Sequence, residues 1–225
     1  MATPRSKAGT KGVPRQHRRE QILTEATQEF GTRGYAGASL AAIAERVGVT
    51  KTLLHQYFGT KEQLYLACLV PVGDRLLDTI RTAMGPDGTA PHTPLRVLRS
   101  IFTALEGRRE AWFVLYDTSL PAGGEAARRA AEYWAAIDRL AAGGTADLLR
   151  AAGSDDPLDA DVLTYVWRDL VATVVRWWVK HPEESPEAMT SRCARLFAAA
   201  AFLGPDDDGD GDGDGDDDDG DGGLA

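Results

Sequence analysis

The stretch SLAAIAERVGVTKTLLHQYF, residues 39–58, constrains this chain more than any other. Ser39 can cap a short helix in which Leu40, Ile43, Ala44 and Val47 share one face, and Gly48 then supplies a sharp turn. A second short helix follows from Thr50, with Leu54 and Phe58 on its apolar side together with Val49. Two short amphipathic helices crossing at a glycine turn form a helix-turn-helix, which lets the second helix lie in a DNA major groove. Lys51, Thr52, Leu53, His55, Gln56 and Tyr57 are left pointing outward or flanking that groove. Each has chemistry to match. Lysine reaches a phosphate or a guanine, glutamine bonds adenine through two atoms, and an exposed leucine meets a thymine methyl.

The flanking sequence predicts an all-α chain of about nine helices. Pro14 suits a first helical position, and Ile22, Ala26 and Phe30 recur four apart in a helix running to about Gly34. Thr60 precedes Gln63 by three residues, a capping-box spacing that opens a long helix through Leu64, Ala67 and Leu77 toward Met84. Further helices are predicted from Thr93, around Trp112 to Tyr116, from Gly124 to Ala152, from Asp156 to His181 and from Ser185 to Gly204, with no strand alternation. The expected organisation is a flexible basic arm (1–14), a three-helix helix-turn-helix head (15–75), a helical ligand-binding and dimerisation domain (76–204) and a disordered acidic Asp/Gly tail (205–225). Pro71 and Gly73 predict a kink in the connecting helix, as part of a hinge between the two domains.

The net charge of −9 has the wrong sign for a partner of DNA until it is sorted by position. Eleven Asp residues follow Pro205, so the rest of the chain carries +2, and residues 1–61 alone carry +6. That sign suits phosphates. Cys68 and Cys193 stand far apart without a CxxC or a histidine cluster, so neither a disulfide framework, a metal site nor a cofactor is expected. His17, His55, His92 and His181 are dispersed and no nucleophile–base spacing occurs, which argues against an enzyme. With no apolar run long enough to span a bilayer, the expectation is a cytoplasmic protein that does not meet membranes. Asp208, Asp210, Asp212 and Asp219 echo a calcium-loop spacing but lack its terminal glutamate, which favours a plain polyanion able to compete with DNA for the head.

Residues 15–69 resemble the head of the tetracycline-repressor (TetR) family of bacterial regulators. The signature is FGTRGYAGASLAAIAERVGVTKTLLHQYFGTKEQL, with Phe30, Gly34, Tyr35, Ser39, Ile43, Ala44, Gly48, Val49, Tyr57, Phe58, Lys61 and Leu64 in register. The resemblance implies that Ser39, Thr50, Tyr57 and Lys61 hold phosphates while Lys51, Thr52, Leu53 and Gln56 face base edges. His55 stands where the family usually has a tyrosine, and Thr52 where a small residue is frequent. A histidine there gains charge in the mildly acid range and would strengthen a phosphate contact.

One head reads few base pairs, so useful specificity calls for a homodimer on a near-palindromic double-stranded operator. The resemblance implies that the last two long helices pair with their copies, with Leu163, Val166, Leu170, Val174, Leu196 and Ala200 offering the stripes. It also implies a repressor released by a small effector. Trp112, Phe113, Tyr116, Trp134, Tyr165, Trp177 and Asp169 are the candidates for contacting a largely hydrophobic effector; Asp169 and Arg176, seven apart on one side of a helix, suit a polar anchor in the cavity, a pair across a dimer or a solvated position. A ligand-independent regulator or architectural protein with a closed core is the other reading.

Overall fold

The computed structural model describes residues 14–85 and 93–201, and among these it has nine α-helices and no strand. They are α1 (Arg15–Gly37), α2 (Leu40–Val47), α3 (Lys51–Phe58), α4 (Lys61–Met84), α5 (Thr93–Leu105), α6 (Ala111–Leu115), α7 (Glu125–Ala151), α8 (Pro157–Val179) and α9 (Pro186–Ala201). The expected acidic tail, and all of the basic arm except Pro14, lie outside the described residues. No described helix is long and apolar enough to cross a membrane.

Local chemistry sets the helix ends. The Thr60 hydroxyl accepts from the Gln63 amide at 3.1 Å, and the Gln63 side chain accepts from the Thr60 amide at 2.9 Å, so the capping box forms in both directions. Gly48 closes α2 at φ +71°, ψ +35°, the left-handed conformation that glycine adopts without a Cβ penalty. α1 breaks at Gly34, where φ turns positive, and one further helical stretch runs to Gly37. No side chain of its own caps α7. Glu62 of α4 accepts from the Ala126 amide at 3.1 Å instead, placing a carboxylate at the positive end of the α7 dipole.

The core is continuous from head to cavity. α1, α2 and α3 close over Ile22, Ala26, Phe30, Ile43, Leu54 and Phe58, and α4 carries that packing onward through Leu64, Tyr65 and Leu69. Farther along, Val72, Leu76 and Ile80 of α4 pack against α5 and α7. Gly73 lets this happen, because a Cβ there would come within 2.5 Å of the Tyr133 ring. The Tyr133 hydroxyl bonds the Val70 carbonyl and the Asp74 carboxylate, and burial with that carboxylate pushes the phenol up to about 12. Pro71 lies inside α4, on its exposed side, and the helix runs through it to Met84. At the far end Arg109 donates to the carbonyls of Trp178, His181, Pro182 and Glu184 at 2.7–3.1 Å and stacks over Trp178, which holds the C-terminus of α8.

Candidate functional site

In the head, a buried carboxylate fixes α2 against α1. Glu29 is only 3% exposed; one oxygen accepts from the Ser39 amide at 2.9 Å and the other from Arg46 at 2.8 Å. Burial alone would raise its pKa, but the Ser39 amide and Arg46 outweigh it and hold the carboxyl below its ordinary value. The Ser39 hydroxyl is engaged as the cap of α2, accepting from Ala42, and the Thr50 hydroxyl caps α3, accepting from Leu53 at 3.1 Å. Their backbone positions, at two helix N-termini, are what a phosphate would meet.

α3 buries Leu54 and Phe58 and leaves Lys51, Thr52, His55 and Gln56 exposed along one side. Leu53 and Tyr57 are half-buried at its margins. The His55 Nδ1–H donates to the Gly59 carbonyl at 2.6 Å, so Nε2 is the ring nitrogen left for a partner. Lys61 lies behind the helix: its ammonium donates to the Ala38 carbonyl at 2.7 Å and sits 4.9 Å from the Tyr35 ring centre. Arg15 and Arg19 of α1 stand over the rings of Tyr57 and Phe58, at 5.6 and 5.4 Å, beside the α3 C-terminus. Sequence reasoning counted these arginines only as charge. The RQHRR run at the start of α1 was the signal that could have placed them individually.

Behind the head lies a seam with α6 and the residues beside it. A Cβ on Gly31 would come 2.1 Å from the Glu110 carbonyl oxygen, so glycine is what permits the contact. Where α1 breaks, the Tyr35 amide donates to the Asp117 carboxylate and the Ala36 amide to the Ser119 hydroxyl. The Tyr65 hydroxyl donates to the Val114 carbonyl, and its ring meets Phe30 and Tyr35 edge-on. The short α6 therefore touches the head with its backbone. Its other side faces a cavity.

That cavity encloses about 220 Å³ between α4, α5, α6, α7 and α8. Ile80, Met84, Val97, Ile101, Leu148 and Val171 form much of its apolar wall, and Trp112, Tyr116 and Trp167 supply aromatic faces. Asp138, Arg168 and Asp169 sit at its edge. Of the seven residues named from sequence, Trp112, Tyr116 and Asp169 lie on this wall. Four do not. Trp134 stacks on Tyr116 but spends its indole N–H on the Leu115 carbonyl at 2.6 Å, and Phe113 packs half-buried against the core. Tyr165 is 57% exposed on the outer side of α8, and Trp177 is exposed near its end, stacked 3.6 Å from His181. Arg176, a candidate partner of Asp169, is exposed and away from the wall.

Leu163, expected on a dimer stripe, lines the cavity instead because it lies four residues before Trp167 on the inward face of α8. Val166 and Leu196 stand exposed, as does Ala200, while Leu170 and Val174 are half-buried. With Leu158, Val162, Tyr165 and Trp177 they leave α8 and α9 an outer surface rich in apolar groups.

Residues 22–68 match the family described as bacterial regulatory proteins, tetR family. Among curated proteins, the chain is 43% identical over 72 residues to the HTH-type transcriptional activator FasR of Mycolicibacterium smegmatis, covering 32% of this chain and 33% of that one. It is 30% identical over 103 residues to the HTH-type transcriptional regulator BetI of Rhizobium meliloti, covering 44% of this chain and 51% of that one. The chain thus spans a third to a half of the length of these relatives. Its fold is shared over much greater lengths. A TetR-family transcriptional regulator from Bordetella parapertussis superposes with a TM-score of 0.67 at 20% identity, over 80% of this chain and 93% of that one. The transcriptional regulator FadR from Bacillus subtilis, in complex with stearoyl-CoA, superposes at 0.58 with 17% identity, over 79% and 96%. Residues 22–68 thus carry the signature of the tetR family of bacterial regulatory proteins, and the helical frame behind them has the fold of these solved structures.

Proposed function

We propose that this chain is a sequence-specific DNA-binding transcriptional regulator, a homodimeric repressor that leaves its operator when a small, largely hydrophobic effector fills the cavity. The observation that carries the proposal is the outer side of α3, where Lys51, Thr52, His55 and Gln56 stand exposed while Leu54 and Phe58 anchor the helix from behind. Lys51, Thr52, Leu53 and Gln56 read base edges; His55, Tyr57 and the amide ends at Ser39 and Thr50 hold phosphates, with Arg15 and Arg19 beside them. Lys61 acts mainly by holding Ala38 and Tyr35, and reaches a phosphate with a remaining donor. The working unit is a head of about 15–75 on an effector domain of about 76–204, paired through the outer faces of α8 and α9 on a near-palindromic duplex. The setting is the cytoplasm, and the protein performs no catalysis.

An effector shifts an equilibrium only by its different affinity for two states. α6 is the element through which the cavity meets the head: Trp112 faces the cavity, and the neighbouring Glu110, Val114 and Asp117 touch Gly31, Tyr65 and Tyr35. An occupant that moves Trp112 and Tyr116 moves those contacts, and the spacing of the two heads with them. The open cavity favours this reading over a ligand-independent regulator. The test is a duplex titration in increasing salt with apolar small molecules added. Two protomers per duplex are expected, with affinity falling linearly in log salt by about 0.9 per phosphate neutralised. Ligands that raise the melting temperature should weaken DNA binding, and a ligand that stabilises the protein without changing DNA affinity overturns the effector part.

A further inference from the structure

The cavity wall carries few polar groups, and several are already committed. The Thr145 hydroxyl lies 2.6 Å from that of Thr164 and within reach of the Ala141 and Ala142 carbonyls, and the Thr93 hydroxyl accepts from Arg96 at 3.0 Å. What remains for a ligand is the Tyr116 hydroxyl, the indole N–H groups of Trp112 and Trp167, which bond no acceptor among the described residues, and the edge formed by Asp138, Arg168 and Asp169. That edge has a formal charge of −1, and the described wall holds no lysine, histidine or second arginine to offset it. Arg168 meets Asp138 through a single 3.4 Å contact with both side chains more than two-fifths exposed, a pair that contributes little. Its guanidinium also lies 5.0 Å over the ring of Tyr165, on the outer side of α8. Among the described residues Asp169 bonds no side chain.

The aromatic faces have the same preference. Tyr116 is stacked by both Trp112 at 4.5 Å and Trp134 at 5.7 Å, so the aromatic faces left toward the cavity are those of Trp112 and Trp167. Their π-faces attract cations, most strongly where water is excluded. Burial and the nearby Asp138 hold the Tyr116 phenol in its neutral form. An anionic headgroup would have to displace Asp138 from Arg168 while facing Asp169, and a polyphosphate would find one cation where it needs several.

We propose that the effector is a lipophilic cation, an apolar chain or ring system bearing one amine or quaternary ammonium group, seated with its charge at the Asp138–Asp169 edge. This rests on the reading of the cavity as the effector site and adds the sign of the ligand's charge. The apolar part lies against Ile80, Met84, Val97 and Ile101, and Trp112 and Tyr116 flank the path to the carboxylates.

Three probes of one chain length separate charge from apolar burial: decyltrimethylammonium, decanol and decanoate, titrated into the full chain by calorimetry and tryptophan fluorescence, with stearoyl-CoA as a fourth. The cation is expected to bind at least about tenfold more tightly than decanoate. Asp169→Asn should weaken the cation about fivefold and leave decanol unchanged. Arg168→Gln should strengthen the cation, because it frees Asp138; these residues are at the surface, so the variants' melting temperatures should stay near that of the parent. Decanoate or stearoyl-CoA binding as tightly as the cation, or Arg168→Gln weakening it, overturns the inference while decanol binding still supports an effector cavity. If none of the four binds, the effector cavity and the cation fall together.

Discussion

α3 and α8 are both amphipathic, yet they leave opposite faces uncovered. α3 hides Leu54 and Phe58 and exposes Lys51, Thr52, His55 and Gln56, whereas α8 hides Val171, Val175 and Trp178 and still exposes Leu158, Val162, Tyr165 and Val166. A polar outer face loses little in water and gains charge-assisted bonds on a duplex. An apolar outer face of that extent is disfavoured in water and is relieved against another apolar surface. On the function proposed above, the contrast gives the two helices different partners: DNA for α3, and a second copy of the chain for α8 with α9.

Breaking the apolar side should have the largest effect. Val166→Lys combined with Leu196→Lys introduces charge at two exposed apolar positions without touching the core. Sedimentation should then report a monomer, and operator affinity should fall by about a hundredfold or more through loss of the second head. A dimer that survives both substitutions separates α8 and α9 from assembly. The seam between the two regions is next. Gly31→Ala drives a Cβ into the Glu110 carbonyl and should cost about 2 kcal/mol, seen as a melting temperature lower by about 6 °C. Gly37→Ala, where the nearest side-chain atom is 3.6 Å away, should be close to neutral. Equal melting of the two variants would remove the close contact from the account.

On the polar side, Arg15→Ala, beside the phosphates, should weaken binding across all duplexes and reduce the salt slope by about one. Acid sharpens the contrast inside the head. The Glu29 carboxyl titrates below its ordinary 4.5, so it stabilises the fold fully above that value and the contribution is lost as pH falls through its lowered one. Chemical denaturation as a function of pH should show Glu29→Gln less stable at neutral pH and flatter in acid; an unchanged acid slope argues against the Ser39 and Arg46 contacts. Smallest is His55. Removing its free Nε2 by His55→Ala should weaken DNA binding modestly on every duplex, and an unchanged affinity would refute its role.

Much of the head was legible because its signals are local. The capping box joins Thr60 to Gln63, Gly48 marks its own turn, and the period of Leu54 and Phe58 leaves only one side of α3 for a partner. The cavity was harder to read because α8 is apolar on two sides. Leu163 and Trp167 face inward while Val162, Tyr165 and Val166 face outward, and hydrophobicity alone does not say which stripe meets the core. Tertiary pairs were the least legible: Asp138 meets Arg168 and Gly31 meets Glu110 across different helices, with no motif linking them. Pro71 has a local rule, a kink in a helix that continues, and α4 does run through it on its exposed side beside the Tyr133 contact.

Selection of bound duplexes from random DNA, run in parallel with the parent chain and with Gln56→Ala, tests the central claim most directly. If α3 reads base edges, the parent recovers a near-palindromic site with two equivalent half-sites, and Gln56→Ala relaxes the preference at one position in each, at a cost of about 1–3 kcal/mol on the parental site. Recovery of the same sequence with the same preference by both proteins, or of no sequence at all, would contradict it.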